Sequence, residues 1–389
     1  MVFTASQLIQ SFGTSIFSEL AAFKKEKQAE GIQMIDLSIG SPDLPPPNFI
    51  VEALVKHVQD PSQYGYTLRG SNEFHEAVHT FYSKNYGVTF NTQTEIVQLA
   101  GSQDGLLHLP MTVADEGDLI LVPDPGYPAY ADAIRMAKAE AYPMPLLKEN
   151  DFLPDLEAIP ENIAAKAKMM FLNFPGNPVP ATATKSFFEK VVAFAKKYNI
   201  VAVHDFAYSE LVFDGEKPVS FLEVEGAFDV GVEFNSLSKS YNMAGCRIGY
   251  MIGNHHVVEA LTKLKSNLDY GVFSPIQKAA TIALLEGDPF LKENNKLYQT
   301  RRDTLVDGLR AIGWNVAKPP ATMFIWAEIP NGYTSKQFAL DLIEKAGVVV
   351  TPGNAFGPSG EGYVRIALVQ SEATLKEAVK KIKASGMFA

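Results

Sequence analysis

Along residues 95–253 the chain repeats one pattern: a short apolar run rich in β-branched and aromatic residues, then a helical or loop stretch, then another run. The runs fall at 95–100, 118–122, 141–146, 168–172, 200–204, 232–237 and 248–252. Apolar strands separated by helices are buried on both faces, as in a mostly parallel sheet sandwiched by helices. The helical period is clearest from Lys185 to Tyr198, where Phe187, Phe188, Val191, Val192, Phe194 and Ala195 recur at spacings of three and four. The expected fold is therefore α/β, with a mostly parallel seven-stranded sheet.

After about Tyr270 the pattern changes. A long helical stretch over 275–310 precedes β-rich runs at 322–328, 348–350 and 363–369, with a helix expected over 335–346. This predicts a smaller α+β domain, completed by the segment before Pro47. The expected division is an N-terminal arm belonging to the small domain (1–46), a large domain (47–275) and a small C-terminal domain (276–389). The charge run over 24–30 reads as the exposed face of an early helix.

A chain of 389 residues that is 47% hydrophobic exceeds one ordinary domain. Its formal net charge of -10 argues against nucleic-acid and anionic-membrane partners, which favour basic surfaces. The single cysteine, Cys246, excludes an intramolecular disulfide and a cysteine-built metal site, so no metal is expected and a reducing compartment suits the chain. Residues 1–20 lack a basic stretch followed by an apolar one, and no apolar run reaches membrane-spanning length. A cytoplasmic location is the expectation. Glycine-rich dinucleotide, phosphate-loop and His-Glu-x-x-His motifs are all absent from the sequence.

In open α/β sheets ligands gather outside the carboxyl ends of the strands. Here five runs lead into polar or glycine-rich sequence, beginning at Ala100, Pro123, Asn173, His204 and Ser236. The last continues Ser236-Leu237-Ser238-Lys239-Ser240-Tyr241-Asn242-Met243-Ala244-Gly245-Cys246-Arg247-Ile248-Gly249. A lysine after a strand among small hydroxyl residues is either a surface residue in a serine-rich turn or, when desolvated, a nucleophilic amine able to form a Schiff base. Arg247, between Gly245 and Gly249, favours the second reading.

The segment resembles the lysine signature of class I/II aminotransferases, the fold-type-I pyridoxal-phosphate enzymes. The resemblance extends from Gly40-Ser41-Pro42-Asp43 to Tyr363-Val364-Arg365. It implies pyridoxal 5'-phosphate as cofactor, Lys239 as the Schiff-base lysine and Arg247 as the phosphate-binding arginine, with Ser236 and Ser238 as hydroxyls nearby. Asp205 then faces the cofactor's pyridine nitrogen, although a strand-end aspartate also serves as a helix cap. Tyr208 donates to the phenolic oxygen, and so does Asn177. The turn around Asn177 resembles Asn-Pro-x-Asn-Pro-Thr-Gly but has Val179 and Pro180 where Thr-Gly is usual.

Gly101, Ser102 and Gln103 offer backbone N–H groups to the phosphate, and Tyr127 matches the aromatic residue stacked on the ring. Arg365 matches the arginine that holds the substrate carboxylate, for which its planar fork is suited. Gly40 matches a glycine near the substrate. Tyr66, or Tyr64, matches a tyrosine that reaches the neighbouring subunit's phosphate, which implies a homodimer. The implied reaction is ping-pong transfer of an amino group between an L-amino acid and a 2-oxo acid. A β-lyase or decarboxylase of the same fold would need the same cofactor residues, and a non-catalytic cofactor-binding regulatory module is the alternative from another class.

Overall fold

The computed structural model describes residues 4–12 and 16–388. The parts of the expected terminal segments at 1–3, 13–15 and 389 lie outside the described residues. The strands are β1 (Ile35–Asp36), β2 (Ile96–Leu99), β3 (Leu119–Asp124), β4 (Glu140–Pro145), β5 (Ala167–Leu172), β6 (Val201–Asp205), β7 (Gly231–Ser236), β8 (Gly249–Gly253), β9 (Phe324–Glu328), β10 (Val348–Val349), β11 (Thr351–Pro352) and β12 (Tyr363–Ala367).

The seven expected runs become one seven-stranded sheet in the order β2-β8-β7-β6-β5-β3-β4. Only β8 runs against its neighbours, pairing antiparallel with both β2 and β7. Strand β3 continues past the expected end through Pro123, a residue that ordinarily stops a strand. It can do so because β5 pairs with β3 only at Leu119, Ile120 and Leu121, so the missing N–H falls beyond that ladder.

The helix Lys185–Tyr198 forms with the expected bounds. Thr184 caps it, its side chain accepting from Phe187 N, and Asn199 ends it in the left-handed conformation with φ 56°. The buried stripe of Phe187, Phe188, Val191, Val192 and Ala195 lies on one face of the sheet beside Tyr82, Leu237 and Tyr250. Leu99, Ile120, Tyr130, Phe171, Val203, Phe234 and Met251 form the core on the other face.

The helical stretch expected over 275–310 is two helices, Ser274–Glu286 and Asp288–Ala311, meeting at Gly287. Pro289 sits in the first turn of the second, where its missing N–H costs nothing. The first packs on the helices Asn48–Val58 and Asn72–Tyr86. The helix Ser335–Ala346 has its expected bounds. The run expected at 348–350 is a strand only over Val348–Val349, which pairs with β1, and after Val350 the chain enters a second sheet as β11, paired with β12. Strand β9 starts at Phe324, two residues after Thr322 takes a left-handed φ of 67°. A separate core of Leu37, Tyr208, Leu305, Trp314, Phe324, Phe338 and Ile366 joins these elements. Among the described residues no helix is long and apolar enough to cross a membrane.

Candidate active site

Strand β7 ends at Ser236, whose hydroxyl accepts from Ser238 N at 3.2 Å and starts the short helix Leu237–Ser240. The chain turns through Ala244–Cys246, Arg247 adopts a left-handed φ of 53°, and β8 begins at Gly249, paired back to Ser236. Lys239 and Arg247 therefore ride on one excursion closed at its base by the sheet. From the neighbouring strand end, Asp205 faces the same space, and the turn after β2 brings in Gly101, Ser102 and Gln103.

These ends enclose a cavity of about 270 Å³ lined by Gly40, Ser41, Ser102, Gln103, Tyr127, Asn173, Asn177, Asp205, Ala207, Tyr208, Ser236, Ser238, Lys239, Ala244 and Arg247. Such a volume approaches that of small-molecule sites. A larger cleft of about 580 Å³, between residues 148–152, 179–182 and 310–320, holds none of the expected site residues. Of those residues, only Gly101, Arg365 and Tyr66 do not line the smaller cavity.

Gly101 lies directly behind it. Its φ is 82°, and a Cβ there would stand 2.5 Å from Nη2 of Arg247, so glycine is what lets the guanidinium close on the turn. Arg365 lies beside Gly40 and Asn177, two residues that line the cavity. Its Nη1 donates to Asn177 Oδ1 at 2.7 Å and its Nη2 to Ser38 O at 2.7 Å, between the rings of Phe324 and Phe356. Its buried Nε has no partner among the described residues. Tyr66 stays apart: it is 85% exposed, with its ring edge against Tyr270. The Tyr64 hydroxyl donates within the chain to Val58 O at 2.8 Å.

Burial governs the electrostatics. It pulls the Lys239 amine down to about 8, helped by the charges of Arg365 and Arg247 and opposed by Asp205. The Nζ donates to Gly40 O at 2.5 Å. Burial pushes the Asp205 carboxyl up, against a hydrogen bond from the Tyr130 hydroxyl at 2.8 Å and one from Ala207 N. It also raises the Tyr208 phenol and lowers the Arg365 guanidinium to about 10. Tyr127 donates to Gln103 Oε1 at 3.2 Å.

Two residues with no expected role belong to the site. Tyr130 anchors Asp205 from the helix Pro128–Met136, where its spacing signals only a buried helix face. Asn173 donates to Asp205 O at 2.7 Å and accepts from Asn177 N at 2.8 Å, so one amide ties two expected site residues together. Its place at a strand end, in the same proline-rich turn as Asn177, was the available signal.

The donor set suits pyridoxal 5'-phosphate. A guanidinium, two serine hydroxyls and the loop of Ser102 and Gln103 line one cavity with a buried carboxylate and a largely desolvated amine. Residues 32–382 match the family Aminotransferase class I and II. The chain is 44% identical over 385 residues to an LL-diaminopimelate aminotransferase of Syntrophobacter fumaroxidans, covering 98% of this chain and 99% of that protein. The substrate-bound BacF structure from Bacillus subtilis superposes with a TM-score of 0.94 at 42% identity, covering 98% of each chain. A probable N-succinyldiaminopimelate aminotransferase from Thermus thermophilus gives a TM-score of 0.91 at 36% identity over 95% of this chain and 100% of that one. A match spanning nearly the whole chain, together with a site that fits the cofactor, leads to one conclusion: this protein belongs to the class I and II aminotransferases and is a pyridoxal-phosphate-dependent aminotransferase of the aspartate aminotransferase superfamily.

Proposed function

We propose that the cavity around Lys239 is the aminotransferase site, that Lys239 is the amine bonded to the cofactor, and that the amino donor is a diamino dicarboxylic acid of the LL-diaminopimelate kind. The observation that carries the reading is the Lys239 amine, depressed to about 8 in a cavity shared with Asp205, Tyr208 and Arg247. Bound pyridoxal phosphate supplies an electron sink for the substrate α-carbon, a role that needs a protonated pyridine nitrogen. Asp205 holds that proton, and Tyr130 and Asn173 hold Asp205. Arg247, Ser236, Ser238 and the amides of Gly101, Ser102 and Gln103 bind the phosphate, while Tyr127 covers the ring. Asn177 uses Oδ1 on Arg365, which leaves its Nδ2 to donate to the phenolic oxygen together with the Tyr208 hydroxyl. Arg365 binds the substrate carboxylate near Gly40. With the cofactor bound, Lys239 Nζ would be the base that removes the substrate α-proton and the acid that returns it on the cofactor side, and the two substrates would react in turn.

The donor assignment is supported by the names of relatives at 44–45% identity. The single cysteine supports a cytoplasmic location. For the domains we propose that residues before Pro47 join the C-terminal unit, supported by the pairing of β1 with β10. The packing of the helix Ser274–Glu286 on Asn48–Val58 and Asn72–Tyr86 supports extending the large unit beyond 275 to about that helix's end. A homodimer is supported by the exposed cluster of Tyr64, Tyr66, Leu68, Leu268, Tyr270 and Phe273.

Borohydride reduction of the cofactor-loaded protein, followed by peptide mapping, tests the lysine. The adduct is expected on Lys239 alone, and an adduct elsewhere ends the assignment. A panel of amino donors with 2-oxoglutarate and pyruvate tests the substrate. LL-diaminopimelate should give the highest kcat/KM, and a monoamino acid surpassing it removes that part of the proposal.

A further inference from the structure

The strand that ends in Asp205 also carries His204, which faces the other side of the sheet and is fully buried, as is Glu233 opposite it in register on β7. His204 Nδ1 lies 2.8 Å from Glu233 Oε2, and His204 Nε2 lies 2.8 Å from Phe174 O. No step of the proposed reaction uses either side chain.

The hydrogen-bond partners fix the protons. Phe174 O can only accept, so Nε2 carries a hydrogen. Glu233 accepts from Phe221 N at 2.8 Å, from Ser220 Oγ at 2.8 Å and from the Tyr82 hydroxyl at 2.8 Å. Each of those hydroxyls also accepts a hydrogen bond, Ser220 Oγ from Leu222 N and the Tyr82 oxygen from Asn235 Nδ2, and gives its own proton to Glu233. The His204 ring is thus held at both nitrogens, by Glu233 Oε2 at Nδ1 and by Phe174 O at Nε2, so its orientation in the core is fixed.

The bond to Phe174 O matters because of where it ends. From Phe174 to Ala183 no backbone group pairs with another backbone group among the described residues, and prolines at 175, 178 and 180 lack the N–H to do so. Side chains must hold the turn. Asn173 does so from within, through Asp205 O and Asn177 N. His204 does so from β6, one residue before Asp205. The far end of the turn is Asn177, whose Oδ1 accepts from Arg365.

We propose that His204, oriented by Glu233, is a positioning residue of the aminotransferase: through Phe174 O it holds the turn that aims Asn177 and, through Asn177, the carboxylate-binding fork of Arg365. The proposal rests on the reading of Arg365 as the carboxylate anchor given above. It assigns the pair to substrate geometry rather than only to packing of the core.

The two ring nitrogens can be imitated separately. His204→Asn retains a donor near the Nδ1 position and loses the contact to Phe174, whereas His204→Gln retains a donor near Nε2 and loses the contact to Glu233. With the cofactor-loaded enzyme, His204→Asn should raise KM for both the amino acid and the 2-oxo acid about tenfold, with kcat changed by less than about threefold. His204→Gln should keep both KM values within about threefold of wild type while lowering the melting temperature of the cofactor-free protein. Equal KM values in the two variants, or a wild-type KM in His204→Asn, would overturn the proposal. Arg365→Lys, measured alongside, tests the anchor itself: unchanged KM there means that the reading of the site has failed rather than the role of His204. Should either His204 variant not fold, nitrogen NMR of the histidine-labelled wild-type protein still decides the tautomer. His204 Nε2 is expected to carry a hydrogen bonded to the Phe174 carbonyl, and an unprotonated Nε2 overturns the proposal.

Discussion

In the proposed reaction, Asp205 is the residue on which the electron sink most directly depends. Its carboxylate has two fixed hydrogen bonds, from Tyr130 and Ala207, and burial around it. Asp205→Ala should therefore still bind cofactor, through Arg247 and its neighbours, yet lose at least about a hundredfold in kcat, because the pyridine nitrogen no longer keeps its proton. Stopped-flow half-reactions with cofactor-saturated protein provide the measurement, and undiminished turnover would remove Asp205 from the mechanism. That Lys239, Arg247 and Asp205 would meet at one cavity was legible in the sequence, because each sits in a short polar run at a strand end. Tyr130 and His204 were not. A tyrosine at a buried helix position and a histidine in an apolar strand look like core residues until the atoms opposite them are known.

At the scale of elements, the cofactor-facing turn is tied down by a buried ion pair. Asp104, in the helix Ser102–His108, meets Lys265 of the helix His255–Leu268, and also accepts from His108 and from Ala100 N. Burial alone would raise its carboxyl, but the bonds from His108 and Lys265 and the Lys265 charge outweigh that and bring it down to about 2. A carboxylate depressed by folding adds stability above its ordinary range near 4 and loses it as pH falls toward 2. Asp104→Asn should therefore be less stable at pH 7 by about 2–3 kcal/mol, short of the full cost of an orphaned ion because Asp269 still pairs with Lys265. Urea melts should show the difference from wild type shrinking between pH 4 and pH 2, and a pH-independent difference would refute the account. Strand identity was legible at this scale because period and length decide it. The break at Gly287 and the split at 348–352 were not, since local sequence permits a continuous element in both places and tertiary partners decide otherwise.

For the whole molecule, the exposed aromatic cluster around Tyr66 and Tyr270 predicts association. Sedimentation of the active enzyme should give a dimer, and Tyr66→Ala should weaken cofactor binding without disturbing the fold of the monomer. A fully active monomer would exclude a site completed by the neighbour. The seven-stranded sheet and the smaller sheet of β9, β11 and β12 were both visible in the change of pattern near Tyr270, whereas the contacts between them were not, because they are non-local. Arg365, on β12, bonds Ser38 and, in the turn after β5, Asn177. Its fork already holds two neutral oxygens, so an arriving carboxylate exchanges with them instead of stripping water from a hydrated cation. A contact that deep is little screened by added electrolyte, while the net charge of -10 repels anionic substrates from a distance. Moderate salt should then leave the anchor intact and relieve the repulsion, so that kcat/KM for a 2-oxo dicarboxylate rises with ionic strength, the reverse of what an exposed arginine on a basic surface would give.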